Sequence, residues 1–142
     1  MKVKEIMTPD PGCCTPGTTV RDVARLMVEC DCGEIPVIAD RESRKLAGVV
    51  TDRDIVCRVV AAGIDASTAT ARDCMSTTVI SVTPETEVDE CCRLMERYRV
   101  RRLPIVDAAG ACCGIVSQAD IVRGTPEAAA AEVVRAVSRP SG

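Results

Sequence analysis

The chain consists of two copies of one sequence pattern. The second copy follows the first at a spacing of 68 residues and, after a two-residue gap, at a spacing of 66 residues. Such a duplication predicts two supersecondary units that pack around a shared core and are related by a pseudo-twofold axis. A functional site is then expected between the halves. The matching segments are Thr15-Pro16 with Thr83-Pro84, Leu26-Met27 with Leu94-Met95, Pro36 with Pro104, Gly48-Val49-Val50-Thr51 with Gly114-Ile115-Val116-Ser117, and Asp54-Ile55-Val56 with Asp120-Ile121-Val122.

The length suits one domain built from both halves. The whole chain has 142 residues, whereas a half of about 60 residues would bury little core alone. Apolar residues make up 46% and charged residues 27% of the chain, as in folded globular proteins. No apolar run approaches the roughly 20 residues that span a bilayer, and the charged N-terminus does not resemble a signal peptide. The sequence therefore predicts a cytoplasmic protein without a membrane partner.

Charge and residue types exclude several classes of function. The net charge is -3, and Phe, Trp and His are absent. A chain without a positive field or stacking platforms is not expected to bind nucleic acid. The absence of histidine excludes histidine-based catalytic triads and Cys/His zinc sites. Because no nucleophile is paired with a base, we expect a protein that is not an enzyme.

Each of the ten cysteines can be compared with the residue at the equivalent position in the other copy of the repeat. Eight of them stand opposite apolar or aromatic residues, and the exceptions are Cys13, opposite Ser81, and Cys57, opposite Arg123. This pattern predicts small buried hydrophobic residues in a reducing compartment. The alternative is a disulfide or a thiolate metal site, for which the candidates are Cys13, Cys14, Cys30 and Cys32.

Each half has the same predicted order of elements, β-α-β-β-α, which gives a mixed α/β fold class. An extended Thr- and Pro-containing segment precedes a helix whose apolar residues recur with helical spacing. A short strand around a proline and a second strand follow closely enough to pair antiparallel, and a second helix ends the copy. The predicted domains are repeat 1 at 1–61, a linker at 62–71, repeat 2 at 72–124 and a C-terminal tail, predicted helical, at 125–142.

A hydroxyl and an aspartate three positions apart stand at the last strand-to-helix junction of each copy. These are Thr51 with Asp54, and Ser117 with Asp120. A hydroxyl can contact an anionic oxygen, and a carboxylate can accept hydrogen bonds from sugar hydroxyls. The same spacing also forms a capping box, which needs no ligand. The pattern alone leaves both interpretations open.

This ordered set of motifs, present twice, resembles a tandem pair of CBS (cystathionine β-synthase) domains over roughly residues 1 to 124. Its length is similar to that of small stand-alone CBS-pair proteins. The resemblance implies a Bateman module in which two clefts between the repeats hold an adenosine ligand such as AMP, ADP, ATP or S-adenosylmethionine. It also implies a regulatory or stress-response role, a homodimer and an unidentified protein partner, with no required cofactor.

Site residues follow from this resemblance by position. It implies that Thr51, Asp54, Ser117 and Asp120 contact phosphate or ribose. The copies differ in charge just before the proline. Glu34 stands there in the first copy, where it would repel phosphate, whereas Arg102 stands there in the second copy. One competent cleft is therefore expected to combine Thr51 and Asp54 with Arg102, and a weaker one to use Ser117 and Asp120. The remaining implied contacts are Arg101, Ile35, Pro36, Leu103 and Pro104.

Two alternatives to a nucleotide sensor remain open at this point. The arginines from Arg97 to Arg102 are also explained as a solvated helix end, since positive charge is favoured there. The protein could then be a ligand-free scaffold. It could also be a redox- or metal-responsive CBS-pair protein that acts through its cysteines.

Overall fold

A computed structural model describes residues 1–124, so the tail at 125–142 lies outside the described residues. The chain divides into two compact units. The repeat-1 unit comprises Pro11–Val79 and Ala109–Cys112, and the repeat-2 unit comprises Met1–Asp10, Ile80–Ala108 and, of the described residues, 113–124. No helix among the described residues has the length and apolar character needed to cross a membrane.

The elements confirm the mixed α/β class and its repeated order. A 3-10 turn at Val3–Glu5 precedes them, and a π-helical turn at Val56–Val60 extends α2. The elements in chain order are β1 (Thr8–Pro9), α1 (Val20–Cys30), β2 (Glu34–Ile38), β3 (Leu46–Thr51), α2 (Asp52–Ile55), α3 (Ala71–Cys74), α4 (Val88–Tyr98), β4 (Arg102–Val106), β5 (Cys112–Ser117) and α5 (Gln118–Gly124).

In the repeat-1 unit, α1 packs its apolar face on an antiparallel β2–β3 pair. The helix begins after Thr19, whose side chain accepts a hydrogen bond from the Asp22 N–H, and ends at Asp31 in the left-handed conformation. The strands pair from Glu34 opposite Thr51, as their spacing predicted. Pro36 cannot donate to a ladder, but its carbonyl accepts from the Cys14 N–H at 3.0 Å. The core consists of Cys14, Val20, Val23, Met27, Ile35, Val37, Val50, Val59, Ala69, Ala71 and Cys74.

The repeat-2 unit has the same left-handed helix end and the same hydrogen bond to a proline carbonyl. Helix α4 ends where Arg99 adopts a φ of 53°, and the Pro104 carbonyl accepts from the Val82 N–H at 3.0 Å. Its sheet has the strand order β1-β5-β4. The core consists of Val3, Val82, Val88, Cys91, Met95, Leu103, Ile105, Val116 and Ile121.

The compact units exchange segments relative to the sequence repeats. Strand β1 lies at the start of repeat 1, yet it pairs antiparallel with β5 in the repeat-2 unit. The equivalent residue Ser76, which opens repeat 2, forms a bridge with Val49 in the repeat-1 unit. The predicted linker at 62–71 also contributes to the repeat-1 unit, where the carbonyl oxygen of Ala69 accepts from the Val20 N–H at 2.9 Å. Each unit is thus completed by the segment that opens the other repeat.

The cysteines agree only partly with the expectation of burial. Five are buried, three are partly exposed, and Cys30 and Cys57 are exposed. Cys30 was expected to be a buried hydrophobic residue because it stands opposite Tyr98, but the Tyr98 side chain is itself 43% exposed. Equivalence to an apolar residue therefore does not establish burial. The buried cysteines are Cys13, Cys14, Cys74, Cys91 and Cys112.

Two core thiols predict a loss of stability at alkaline pH. Burial raises the pKa of Cys14 and of Cys91 from an ordinary value of 9.0 to about 12. Between these values the unfolded chain binds fewer protons than the folded chain, so the free energy of unfolding falls as pH rises. Below pH 9 this contribution is fully present. Above pH 9, we expect each of these thiols to lower the free energy of unfolding by about 1 kcal/mol per pH unit.

Urea unfolding at pH 8 and pH 10 under reducing conditions measures this effect. The other repeat supplies the control substitutions, because Val82 stands opposite Cys14 and Val23 stands opposite Cys91. The Cys14→Val, Cys91→Val double variant is expected to lose less stability than the wild type over this interval. Equal losses of stability in the two proteins would contradict the raised pKa values of Cys14 and Cys91.

Candidate functional site

The first strand-to-helix junction contains a complete capping box. The Asp54 N–H donates to Thr51 Oγ1 at 3.1 Å, and the Thr51 N–H donates to Asp54 Oδ2 at 2.9 Å. Strand β3 delivers Thr51 to this point, and the first turn of α2 delivers Asp54. The Thr51 hydroxyl accepts within the cap, and its own hydrogen can donate to a further acceptor.

The second junction repeats this geometry between β5 and α5. The Asp120 N–H donates to Ser117 Oγ at 3.1 Å, and the Ser117 N–H donates to Asp120 Oδ2 at 2.8 Å. Asp120 is buried, with 6% of its surface exposed. The capping explanation left open by the sequence is therefore realised at both junctions.

The two aspartates differ in the second carboxylate oxygen. Asp120 Oδ1 accepts a close, charge-assisted hydrogen bond from Arg123 Nη2. Asp54 Oδ1 faces Arg58 Nε at 4.0 Å, and the Arg58 side chain is 53% exposed. That distance is too long for a hydrogen bond, and exposed pairs of this kind contribute little. Asp54 Oδ1 consequently has only this long ion pair with Arg58, whereas both oxygens of Asp120 accept hydrogen bonds.

A backbone hydrogen bond holds each junction against the segment before the proline strand. The Asp52 N–H donates to the Gly33 carbonyl at 2.9 Å, and the Gln118 N–H donates to the Arg101 carbonyl at 2.8 Å. At the first junction a Cβ on Gly33 would lie 2.8 Å from Asp52 Oδ2. The glycine thus makes room for a carboxylate there, while the second junction has an arginine at the equivalent position.

The arginines expected to bind phosphate lie at the start of β4. Arg101 is exposed and Arg102 is partly buried. The preceding Arg97 places its guanidinium 5.3 Å from the centroid of the Tyr98 ring, which is a cation–π distance. Arg97 is therefore accounted for by its own helix end, and Arg102 is the better placed candidate for a ligand contact.

The four apolar positions implied by the resemblance are buried within the units. Ile35 and Leu103 are 1% and 0% exposed and belong to the two cores. Pro36 and Pro104 are buried beside them. Protein atoms account for this burial, so the apolar character of these positions does not itself indicate a ligand.

Two of the candidate cysteines lie in different clusters of the repeat-1 unit. Cys14 belongs to the main repeat-1 core, whereas Cys13 packs in a separate small cluster with Ile38 and Cys112. Across residues 1–124 no group of three or more Cys, Asp or Glu side chains is arranged to hold a metal ion. The sequence did not indicate that Cys112 lies in the cluster of Cys13. Its counterpart in the other copy is Leu46, so Cys112 was interpreted as an ordinary hydrophobic position.

Known proteins resemble this chain over nearly its whole length. Hypoxic response protein 1 of Mycobacterium tuberculosis is 35% identical over 137 residues, which cover 96% of this chain and 94% of that protein. A crystal structure of Hypoxic Response Protein I with two coordinated zinc ions has a TM-score of 0.80 and 34% identity, and the match covers 89% of this chain and 100% of that one. This chain contains no histidine, and its described residues hold no cluster of three or more potential metal ligands.

Two further solved structures contain adenosine compounds. CBSX2 in complex with AMP has a TM-score of 0.74 and 30% identity, covering 86% of this chain and 93% of that one. The CBS domain pair of protein MJ0100, in complex with 5-methylthioadenosine and S-adenosyl-L-methionine, has a TM-score of 0.76 and 25% identity, covering 87% and 94%. The CBS domain model matches residues 3–61 and 71–127. The chain therefore belongs to the CBS domain family and carries two CBS domains in tandem.

Proposed function

We propose that this CBS pair is a non-enzymatic sensor that binds an adenosine ligand, acts as a homodimer and signals to a protein partner. The observation that carries the proposal is the duplicated hydroxyl–carboxylate junction, in which one carboxylate oxygen of Asp54 makes only a long ion pair. A ribose offers two adjacent hydroxyl donors to such an oxygen. The AMP and S-adenosyl-L-methionine complexes of similar CBS structures support this ligand class.

The proposed roles follow from the chemistry of each side chain. Asp54 accepts from ribose hydroxyls, and the Thr51 hydroxyl donates to an anionic oxygen. Arg102, aided by Arg101, supplies charge to phosphate, for which a guanidinium is suited. Ser117 and Asp120 form the weaker site, because Asp120 must first release Arg123. A ligand can then shift the protein between conformations only if it binds one of them more tightly.

Calorimetric titration with AMP tests these roles. Asp54→Asn keeps the size of the side chain but removes its charge, and we expect it to weaken AMP binding about tenfold or more. Asp120→Asn is expected to weaken binding less than threefold, about 0.6 kcal/mol, since its oxygens are occupied by the cap and by Arg123. Thermal shift with AMP, ATP and S-adenosylmethionine checks binding independently, since ligands of the native state raise Tm.

Arg102→Ala separates phosphate recognition from nucleoside recognition. We expect this variant to lose about tenfold in affinity for AMP and little in affinity for adenosine, which has no phosphate. Arg97→Ala is the matched control, because its guanidinium lies over the Tyr98 ring. Unchanged AMP affinity in both Asp54→Asn and Arg102→Ala, or no binding of any adenosine compound, would overturn the proposal.

A further inference from the structure

Two cysteines from distant parts of the sequence share a small buried cluster in the repeat-1 unit. Cys13 and Cys112 are 5% and 1% exposed, and they pack with Ile38 and the partly buried Leu46. The side chain of Cys112 acts on that of Cys13 closely enough to lower its pKa. The two side chains are therefore neighbours in one cluster.

Arginine side chains cover this pair. Arg44 Nη2 donates to Cys13 Sγ at 3.5 Å, and Arg44 Nε donates to the Cys112 carbonyl at 3.4 Å. The Arg44 carbonyl accepts from the Cys112 N–H at 2.8 Å, so one residue holds both cysteines. Arg41 Nη1 donates to the Cys13 carbonyl at 3.0 Å. Positive charge beside a thiol stabilises the thiolate, which is the reactive form.

Cys13 and Cys14, which are adjacent in the sequence, have very different pKa values. The hydrogen bond from Cys112, together with the charges of Arg44 and Arg41, lowers the pKa of Cys13 to about 7 despite its burial. Burial raises the pKa of the adjacent Cys14 to about 12. Near neutral pH, Cys13 is thus partly a thiolate and Cys14 is a thiol.

We propose that Cys13 and Cys112 are a redox pair that forms an intramolecular disulfide when the protein meets a hydroperoxide. The Cys13 sulfur attacks a peroxide oxygen and breaks the O–O bond, which gives a sulfenic acid and releases the other oxygen as hydroxide. The Cys112 sulfur then attacks the sulfenic sulfur and expels its oxygen as water. Two thiols lose two electrons in total, and hydrogen peroxide is reduced to two molecules of water.

This disulfide would connect Ala109–Cys112 covalently to Pro11–Val79 within the same unit. It is independent of nucleotide binding, because none of its residues belongs to the proposed ligand contacts. A dithiol reductant such as dithiothreitol reverses it by thiol–disulfide exchange.

Peptide mapping after oxidation tests the pair directly. The reduced full-length protein is treated with hydrogen peroxide, blocked with N-ethylmaleimide and digested with trypsin. Cys13 lies in the tryptic peptide 5–21 and Cys112 in the peptide 103–123. We expect these two peptides to become linked, and the link to disappear after treatment with dithiothreitol.

Variants assign the link to individual sulfur atoms, since Cys14 and Cys113 lie in the same two peptides. Cys112→Ala and Cys13→Ser are expected to abolish the link, whereas Cys113→Ala and Cys14→Val keep it. Circular dichroism of each variant verifies folding. A link that survives in Cys112→Ala, oxidation confined to Cys30 and Cys32, or an absence of any disulfide in the wild type would overturn the proposal.

A rate measurement on the wild type avoids any dependence on variant folding. Alkylation of Cys13 by iodoacetamide is expected to rise about tenfold between pH 6 and pH 8, because the thiolate fraction follows the pKa. Cys14 should show no midpoint in that interval, and Arg44→Gln should move the Cys13 midpoint upward. Equal pH dependence of Cys13 and Cys14 would contradict the activated thiol.

Discussion

Gly48→Ala is expected to lower the free energy of unfolding by about 3 to 5 kcal/mol. A Cβ at this position would lie 2.5 Å from the Ser76 carbonyl oxygen. That oxygen accepts a hydrogen bond from the Val49 N–H at 3.0 Å, and the Ser76 N–H donates to the Val49 carbonyl at 2.9 Å. The Ser76 carbonyl belongs to the backbone and cannot move aside as a flexible side chain can, so both Val49–Ser76 hydrogen bonds must weaken. Urea denaturation followed by circular dichroism measures the loss.

Gly114→Ala is the matched control, because Gly114 occupies the equivalent position in β5. Its Cβ would lie 2.7 Å from the Met7 sulfur and 3.2 Å from the Thr8 carbonyl oxygen. A methionine side chain is flexible and can move, so we expect a smaller loss of about 1 to 2 kcal/mol. A Gly48→Ala protein as stable as the wild type, or as stable as Gly114→Ala, would contradict the steric argument.

Leu103→Ala is expected to destabilise the protein by about 2 to 5 kcal/mol, because it leaves a cavity in the repeat-2 core. The Leu103 side chain is 0% exposed and belongs to the same cluster as Met95, Ile105 and Val116. Thermal and urea unfolding without any ligand measure this loss.

Val28→Ala is the control for a truncation without a cavity. The Val28 side chain on α1 is 82% exposed, and we expect a change within about 0.5 kcal/mol. If Leu103→Ala were equally mild, Leu103 would not support the core, and a role confined to a ligand contact would gain support.

Local patterns in the sequence predicted the elements well. Helical spacing identified α1 and α4, and the short connection between apolar runs predicted the antiparallel pairing of β2 with β3. The three-residue spacing of Thr51 and Asp54 offered a capping box as one of two interpretations, and the box is present. The ordered repeat identified the CBS domain family, which is confirmed. These features depend on residues close together in the chain, so their spacing carries the information.

The chemical state of particular side chains could not be predicted in the same way. Asp54 and Asp120 have identical motifs, but Asp120 accepts a hydrogen bond from Arg123, whereas Asp54 forms only a long ion pair with Arg58. The family resemblance implied that Ile35 and Leu103 line a ligand cleft, and the structure adds that both side chains belong to the protein cores. The nucleotide contacts themselves stay predictions.

The order of β-α-β-β-α elements, their caps and the family follow from the sequence alone, because they arise from interactions over a few residues. Tertiary structure alone decided that Met1–Asp10 completes the unit of the other repeat, where Lys2 meets Glu87 across 85 positions of the chain. It likewise decided that Cys112 lies beside Cys13. Two similar repeats offer each end segment two similar surfaces, and only packing in three dimensions distinguishes them.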